Sequence, residues 1–211
     1  MAVMNRQPIG IVDYGMGNLL SVFNAFEMIG ACARICRQPE ELAGVDRVVL
    51  PGVGAFRDCI ANLSERGFVQ ALGDARKAGM PIMGICLGMQ VMARRSFENG
   101  ETAGLGWIPA DIRKLTPSEP GLRVPQIGWN EVGHREGSPL FRGLPKSPDL
   151  YFVHSYHMVC DDAACVEATC DYGGPVTAAI RHENVVATQF HPEKSQDLGI
   201  RILENFLSWN P

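Results

Sequence analysis

Apolar residues near the start of the chain fall into a short run and then into helical spacing. Ile9-Gly-Ile-Val-Asp13 predicts a short buried strand, and the glycine turn Tyr14-Gly-Met-Gly17 follows it. From Asn18, a candidate N-cap, to about Ile29 the spacing predicts an amphipathic helix. Its apolar positions are Leu19, Val22, Phe23, Phe26 and Ile29. The pattern therefore begins with a strand, a turn and a helix.

The same alternation of strands and helices continues to about residue 95. Ala31-Cys-Ala-Arg-Ile-Cys36 and Arg47-Val-Val-Leu50 predict a second and a third strand, and Pro81-Ile-Met-Gly-Ile85 predicts a fourth. Helices are predicted from Ala55 to Gly79 and from Leu87 to about Arg95. Such alternation indicates a mostly parallel sheet with helices on both faces.

The second half of the chain has a different pattern. Proline and glycine recur every few residues from Pro109 to Pro148, which favours short strands, turns and loops over another regular βαβ unit. Strands are predicted at Leu150–His154, Val176–Arg181 and Val185–Phe190, with a hairpin turn at His182–Asn184 and a closing amphipathic helix at Leu198–Trp209. We find no repeat or linker. The expected fold is α/β, one domain over residues 1–211, with a mostly parallel central sheet flanked by helices and an antiparallel insertion in the second half.

Charge and hydropathy exclude some classes of protein. Acidic residues outnumber Lys plus Arg by 23 to 19 without a long run of either sign, which disfavours a nucleic-acid binder because those usually carry a basic stripe. The apolar stretches are far shorter than the roughly 20 residues that a bilayer requires. Residues 1–8 contain one charged side chain and no apolar run, so we expect no secretory signal there. These features predict a cytoplasmic protein.

Cysteine usage points away from disulfides and metals. The seven cysteines are Cys32, Cys36, Cys59, Cys86, Cys160, Cys165 and Cys170. Their number is odd and no Cys-x-x-Cys pair occurs, so a disulfide framework is not expected in a cytosolic protein. The spacing of the last three matches no common zinc pattern. We therefore predict no metal site and no cofactor, and we interpret most of the cysteines as small buried hydrophobes.

Cys86 differs because it lies between a predicted strand and a predicted helix in Gly84-Ile-Cys-Leu-Gly88. This is the Gly-x-nucleophile-x-Gly pattern of a nucleophile elbow, in which a tight turn exposes the central side chain at the end of a sheet. The helix N-terminus favours the thiolate, which is the reactive form. Taken alone, the pentapeptide fits a buried structural cysteine between two packing glycines equally well.

A cysteine nucleophile needs a base, and His191 is the best placed of the five histidines. It stands at the end of a predicted strand, where α/β sheets place their ligands. Pro192 stiffens the following turn, and Glu193 is close enough to hold the imidazole in one tautomer. An ordinary turn at a strand end is the alternative interpretation.

The remaining histidines have simpler explanations or stay open. His134 lies in a polar loop and His182 in the predicted hairpin turn, where solvation accounts for both. His154 and His157 flank a strand end and fit either a packing or a functional role.

Acyl transfer also requires hydrogen-bond donors for an oxyanion. The backbone N–H of Leu87 directly follows the candidate nucleophile, and Pro51-Gly-Val-Gly54 supplies a flexible loop after the third strand. An ordinary strand-to-helix turn would also explain that loop. Nucleophile, base and donors nevertheless coincide at three successive strand ends, which favours a single active site.

Three sequence blocks carry a family resemblance. They are Pro51-Gly-Val-Gly-Ala-Phe56, Gly84-Ile-Cys-Leu-Gly-Met-Gln90 and Gln189-Phe-His-Pro-Glu-Lys-Ser195. These resemble the signature blocks of the class-I, triad-type glutamine amidotransferases. Four further stretches resemble the family of glutaminase subunits of imidazole glycerol phosphate synthase: Val12–Val22, Val124–Asn130, Tyr151–Tyr156 and Ser195-Gln196.

The resemblance implies a role for each site residue. Cys86 would attack the carboxamide of glutamine, His191 would protonate the departing ammonia and later activate water, and Glu193 would orient His191. Residues implied to bind the substrate or its oxyanion are Gly52, Val53, Leu87, Gln90, His154, Ser155 and Tyr156.

The resemblance also implies a partner, because the chain has no room for a separate synthase domain. The family pairs with a barrel-fold cyclase subunit, as a heterodimer, which uses the ammonia to make imidazole glycerol phosphate and an aminoimidazole carboxamide ribonucleotide in histidine biosynthesis. Asn18, Trp129 and Lys194 are candidates for the partner-facing side. A further hypothesis is that a peptide flip at Gly52 and Gly54, both able to adopt φ > 0, couples the oxyanion loop to the partner's ligand.

Three alternatives remain at this point. The glutaminase of pyridoxal phosphate synthase shares the triad logic, but Val12–Asn18 and Gly128–Asn130 favour the histidine pathway. A γ-glutamyl hydrolase would act without a partner. A catalytically idle regulatory subunit would usually lack one triad residue, whereas all three are present here.

Overall fold

The computed structural model describes residues 8–211, so the prediction that no secretory signal precedes the first strand falls mostly outside the described residues. The helices of the described part are α1 (Leu19–Met28), α2 (Phe56–Glu65), α3 (Phe68–Lys77), α4 (Leu87–Gln90) and α5 (Gln196–Ser208). Short 3-10 turns cover Pro39–Gly44, Ala163–Cys165 and Pro192–Lys194.

The strands are arranged in two sheets. They are β1 (Ile9–Val12), β2 (Ala33–Cys36), β3 (Arg47–Gly52), β4 (Ile82–Cys86), β5 (Ala93–Ser96), β6 (Thr102–Ala103), β7 (Ile108–Lys114), β8 (Gln126–His134), β9 (Asp149–His154), β10 (Tyr156–Cys160), β11 (Val166–Asp171), β12 (Pro175–His182) and β13 (Val185–Thr188). The central sheet has the order β2-β1-β3-β4-β13-β12-β11-β8-β9, and the smaller sheet has the order β10-β7-β5-β6.

The central sheet is parallel in one half and antiparallel in the other. Strands β2, β1, β3, β4 and β13 run parallel, as the alternating pattern of the first half predicts. From β13 onward the neighbours β12, β11, β8 and β9 pair antiparallel. The predicted hairpin between β12 and β13 is confirmed, and so is the expected α/β fold with an antiparallel part in the second half.

Hydrophobic side chains from the two faces of the central sheet form two clusters. On one face, α1 and α5 bury Phe26 and Phe206 against alternate strand residues such as Val49. On the other face, α2 and α3 bury Leu63, Leu72 and their neighbours against the intervening strand residues. Fully burying each such side chain stabilises the fold by about 1.5–3 kcal/mol. The central sheet is therefore covered on both sides, and its strand ends stay available for a site.

Two helix predictions are wrong. The segment from Ala55 to Gly79 forms two helices, because Gly67 adopts φ +76° between α2 and α3. The helix predicted from Leu87 to Arg95 ends at Gln90, and Ala93–Ser96 instead forms β5. Pairing with β7 in the small sheet outweighs the local helical preference, and Arg95 also forms an ion pair with Asp111 of β7, with an N–O distance of 3.0 Å.

Smaller differences occur at the ends of elements. Asn18 does stand at the N-cap position of α1, but its side chain makes no capping hydrogen bond. The strand predicted to reach Phe190 ends at Thr188. Strands β10 and β11 were not predicted from the sequence, although apolar and polar residues alternate strictly along β11.

Candidate active site

The site forms where three neighbouring parallel strands end. In the pairing of β3 with β4, Gly52 lies opposite Cys86, and in the pairing of β13 with β4, Thr188 lies opposite Ile85. The residues after these strands therefore meet at one edge of the sheet. This geometry brings the loop at Val53, the thiol of Cys86 and the imidazole of His191 to the same place.

The backbone at Cys86 has the form of a nucleophile elbow. Cys86 adopts φ +53° and ψ −108°, a conformation that non-glycine residues rarely occupy and that costs about 1–3 kcal/mol. A Cβ at Gly88 would overlap the Leu50 carbonyl oxygen, and a Cβ at Gly84 would lie 2.9 Å from the Gly88 carbonyl oxygen. Both positions thus require glycine, as the pentapeptide predicts, and the strain is localised at the thiol-bearing residue.

His191 and Glu193 form a buried pair. The Nδ1–H of the imidazole donates to Oε1 of Glu193 at 2.8 Å, and the two side chains are only 2% and 1% exposed. Burial lowers the pKa of His191, but its interactions with Cys86, in the thiolate form, and with the Glu193 carboxylate outweigh burial and raise that pKa to about 9. Nε2 of His191 is buried without an ordinary hydrogen bond to the described residues. It is therefore available for proton transfer.

The turn that carries His191 is tied to β9. Oγ of Ser195 donates to the His191 carbonyl oxygen at 2.7 Å and accepts from the backbone N–H of Tyr151 at 3.0 Å. The N–H of His191 in turn donates to the Tyr151 carbonyl oxygen at 2.9 Å. Ser195 stood out in the sequence only as part of a block. Its positioning contact depends on a strand distant in sequence, which no local pattern could indicate.

A cavity of about 420 Å³ opens over the thiol, which suits a small amino-acid substrate. The predicted site residues that line it are Val53, Cys86, Leu87, Gln90, His154, Ser155, Tyr156 and His191. Gly52 and Glu193, which were also predicted, are not among the lining residues. Five further residues line the cavity without having been predicted as substrate contacts, namely Gly54, Glu98, Pro125, Val153 and Lys194.

His154 presents a hydrogen-bond acceptor to the site. Its Nδ1 lies 2.8 Å from the Tyr156 carbonyl oxygen, which can only accept, so the proton is on Nδ1. Burial outweighs this bond and lowers the pKa of His154 to about 4, so the ring is neutral at pH 7. Nε2 is buried and unpartnered among the described residues. His154 therefore lines the cavity and offers a free hydrogen-bond acceptor to it. Of the two roles that the sequence left open, packing or function, this position favours a functional one.

The amide of Gln90 is oriented by its surroundings. Its Nε2 donates to the Tyr156 carbonyl oxygen at 2.7 Å and to Oε1 of Gln189 at 3.0 Å. Both hydrogens of the Gln90 amide therefore form hydrogen bonds within the protein, and its Oε1 remains free to accept a hydrogen bond from a substrate.

The loop after β3 rests on the turn that follows β1. The Tyr14 hydroxyl donates to the Pro51 carbonyl oxygen at 2.9 Å, and a Cβ at Gly52 would lie 2.5 Å from that hydroxyl. Gly54 adopts φ +107°, whereas Gly52 is not in the left-handed region. Gly54 thus adopts the positive φ that a glycine allows, and Gly52 does not; the hypothesis of a peptide flip stays a prediction. A β-branched residue at Gly52 would also collide with Tyr14, so that substitution does not isolate a peptide flip.

Glu98 is a site residue that the sequence did not reveal. One of its carboxylate oxygens, Oε2, accepts from the first backbone N–H of α2, at Phe56, at 2.8 Å, which fixes the side chain beside the cavity. Glu98 follows β5, the strand that local pattern assigned to a helix, so its position could not be deduced from the sequence.

The other histidines lie outside the cavity lining. His134 ends β8 and stacks on Phe141 with ring centroids 4.7 Å apart, so the polar-loop interpretation is wrong for it. His182 ends β12 beside the hairpin turn, with Nδ1 3.6 Å from the Cys165 sulfur. Burial lowers the pKa of His157. None of the three takes part in the site.

Residues 8–211 contain no candidate metal cluster, no helix of membrane-spanning length and no disulfide. Among residues 8–211 no group of three or more His, Cys, Asp or Glu side chains is arranged to hold a metal ion. No helix in the same range is long and apolar enough to cross a membrane. All seven cysteines are free.

Comparison with known proteins agrees with this geometry. Residues 11–209 match the family model for glutamine amidotransferase class-I. The imidazole glycerol phosphate synthase subunit HisH of Mesorhizobium japonicum is 46% identical over 96% of this chain and 99% of its own. The protein of the same name from Syntrophotalea carbinolica is 48% identical over 94% of this chain and 98% of its own.

Solved structures support the fold independently. The crystal structure of a glutamine amidotransferase has a TM-score of 0.75 to this chain at 21% identity, covering 95% of this chain and 97% of its own. A glutamine amidotransferase from Thermotoga maritima has a TM-score of 0.64 at 16% identity, covering 97% of this chain and 84% of its own. At these identities the likeness concerns the fold alone.

Proposed function

The chain belongs to the class-I glutamine amidotransferase family, and on that premise we propose that Cys86, His191 and Glu193 are the catalytic triad of a glutaminase. Its function is that of the glutaminase subunit of imidazole glycerol phosphate synthase, in histidine biosynthesis. The observation that carries the triad is the buried His191–Glu193 pair at 2.8 Å beside a strained cysteine at a strand end.

In the first half-reaction, the Cys86 thiolate attacks the carboxamide carbon of glutamine. The carbonyl oxygen becomes an oxyanion, for which the backbone N–H groups of Val53 and Leu87 are the proposed donors. The raised pKa of His191 keeps its imidazole protonated near neutral pH, so it can pass a proton to the departing nitrogen. Ammonia leaves, and a glutamyl thioester remains on Cys86.

In the second half-reaction, His191 is neutral and takes a proton from water. The hydroxide formed attacks the thioester, and the thiolate departs as glutamate is released. Glu193 holds Nδ1–H throughout, which keeps Nε2 aimed at the reacting groups and stabilises the imidazolium. The sum is glutamine plus water giving glutamate plus ammonia.

Substrate binding follows from the lining of the cavity. The free acceptors Oε1 of Gln90 and Nε2 of His154 fit N–H groups of glutamine, and Ser155 and Tyr156 contribute backbone at the same wall. Gly52 keeps the floor of the loop close to Leu87. The carboxylate of Glu98 is placed to attract the α-ammonium group of the substrate.

The ammonia released at this site is used by a separate polypeptide. We propose that residues 1–211 form one glutaminase domain in the cytoplasm, paired as a heterodimer with a barrel-fold cyclase subunit that makes imidazole glycerol phosphate. Trp129 is 45% exposed on β8 and Lys194 lines the cavity, which supports both as partner-facing residues, and Asn18 is proposed from the family resemblance alone.

A glutamine analogue with an electrophilic diazoketone side chain tests the triad. In the presence of the cyclase subunit, we expect one covalent adduct, located on Cys86 by peptide mass spectrometry. Cys165→Ser serves as the control, because it removes another thiol without touching the cavity. Absence of an adduct on Cys86 would favour the catalytically idle subunit instead.

A further inference from the structure

Gln189 is a buried amide next to the nucleophile. It follows β13 opposite Cys86, since Thr188 pairs with Ile85, and it is 0% exposed. Its Nε2 lies 3.6 Å from the Cys86 sulfur, a contact distance suited to the larger sulfur atom. Its Oε1 accepts from Nε2 of Gln90 at 3.0 Å.

The orientation of this amide follows from a backbone group. The carbonyl oxygen of Tyr156 can only accept, so the group of Gln90 that faces it at 2.7 Å must be the NH₂. The second hydrogen of that NH₂ then requires an acceptor, which is Oε1 of Gln189. The opposite end of the Gln189 amide, which faces sulfur, is therefore its NH₂. A donor points at the nucleophile.

We propose that Gln189 is a further catalytic residue, whose Nε2–H donates to the Cys86 sulfur and stabilises the thiolate. This inference rests on the proposed function of Cys86. A hydrogen bond to a charged acceptor is about twice as strong as one between neutral groups, so the contact favours the thiolate over the thiol. It also favours departure of the thiolate when the thioester is hydrolysed, because the negative charge returns to sulfur at that step.

The geometry assigns distinct tasks to the groups around sulfur. His191 exchanges protons with the substrate, whereas the Gln189 amide cannot titrate and supplies a fixed donor at every pH. Gln90, the last residue of α4, holds that donor in place through Oε1 of Gln189. Gln189 is 0% exposed, so its own amide does not exchange this contact for one with bulk water.

The pH dependence of Cys86 alkylation tests this assignment on the full-length protein. The rate of carbamidomethylation by iodoacetamide is followed at Cys86 by peptide mass spectrometry from about pH 5 to about pH 10, since only the thiolate reacts. Gln189→Met removes the donor and keeps the bulk of the side chain. Gln189→Leu removes the donor and the acceptor of the amide together and adds no group that titrates. We expect the midpoint to rise by roughly one to two pH units in both variants.

Asn205→Leu is the matched control, because Asn205 is also a buried amide, with Nδ2 2.8 Å from the Leu140 carbonyl oxygen in a region away from the cavity. We expect it to lower the melting temperature and leave the Cys86 midpoint unchanged. A wild-type midpoint in either folded Gln189 variant would overturn the proposal. The alkylation assay needs no glutamine turnover. A wild-type midpoint in a Gln189 variant would therefore leave the proposed glutaminase function intact. Conversely, a chain without glutaminase activity would still give an alkylation midpoint for Cys86.

Discussion

His191 faces a thiol on one side and a carboxylate on the other, and its charge follows from that position. Its pKa is raised to about 9, so the imidazole is protonated below that pH and loses its proton above it. Because ammonia release needs the protonated form, kcat/KM for glutamine in the complex should fall as the pH rises through about 9.

Replacing Glu193 with glutamine tests what sets the pH at which kcat/KM falls, the descending limb of the pH profile. The variant loses the negative charge that stabilises the imidazolium, so the pKa of His191 should fall and the descending limb should move to lower pH. The rate should also drop by roughly two to four orders of magnitude, because the tautomer is no longer held. Glu183→Gln, an exposed site in the β12–β13 turn, makes the same chemical change and should leave the profile unaltered. If the descending limb stays at the same pH in Glu193→Gln, the claim that Glu193 raises the pKa of His191 is wrong.

Single residues differ in how far the sequence alone defines them. Cys86, His191 and Glu193 could be proposed from the sequence because each stands in a motif whose spacing has a chemical reason. The sequence could not show that both amide hydrogens of Gln90 form hydrogen bonds, or that the Gln189 amide faces the Cys86 sulfur. It also could not place the Glu98 carboxylate beside the cavity. Those features depend on which atoms from distant strands face each side chain, and that is decided by tertiary packing.

At the scale of elements, the β4–α4 turn packs so closely on β3 that a methyl group does not fit. A Cβ at Gly88 would overlap the Leu50 carbonyl oxygen, which is backbone and cannot move aside cheaply. Gly88→Ala should therefore lower the free energy of unfolding by about 3 kcal/mol or more, or prevent folding.

Gly73→Ala is the matched comparison, because a Cβ at Gly73 meets no heavy atom within 4 Å in the interior of α3. This variant should raise the free energy of unfolding by roughly 0.5–1 kcal/mol, since alanine favours a helix over glycine. Urea denaturation of both variants measures the two effects. Equal stabilities for Gly88→Ala and the wild type would show that the turn is looser than described.

The elements predicted from the sequence were most reliable where hydrophobic runs are fully buried. Strands β1, β3 and β4 and their crossover helices gave a clear alternation, and the parallel half of the sheet follows from it. The error at Ala93–Ser96 has a physical cause, because this segment becomes a strand only by pairing with β7 and through ion pairs to Asp111. Such pairing has no signal in the local sequence.

At the scale of the whole molecule, the chain is a glutaminase subunit, and a cyclase subunit uses the ammonia that it releases. Lys194 lines the cavity over Cys86, and the exposed Trp129 lies on β8. This arrangement suits an enzyme in which a second polypeptide covers the mouth of the site and receives ammonia.

Glutamate release from glutamine tests the central claim most directly. The purified chain is assayed alone, then with the cyclase partner, and then with the cyclase partner together with its nucleotide ligand, with Cys86→Ser as the inactive reference. We predict low activity for the chain alone, a strong increase in the complete complex and none above background in Cys86→Ser. High activity of the chain alone that is indifferent to the cyclase, or undiminished activity in Cys86→Ser, would contradict this account.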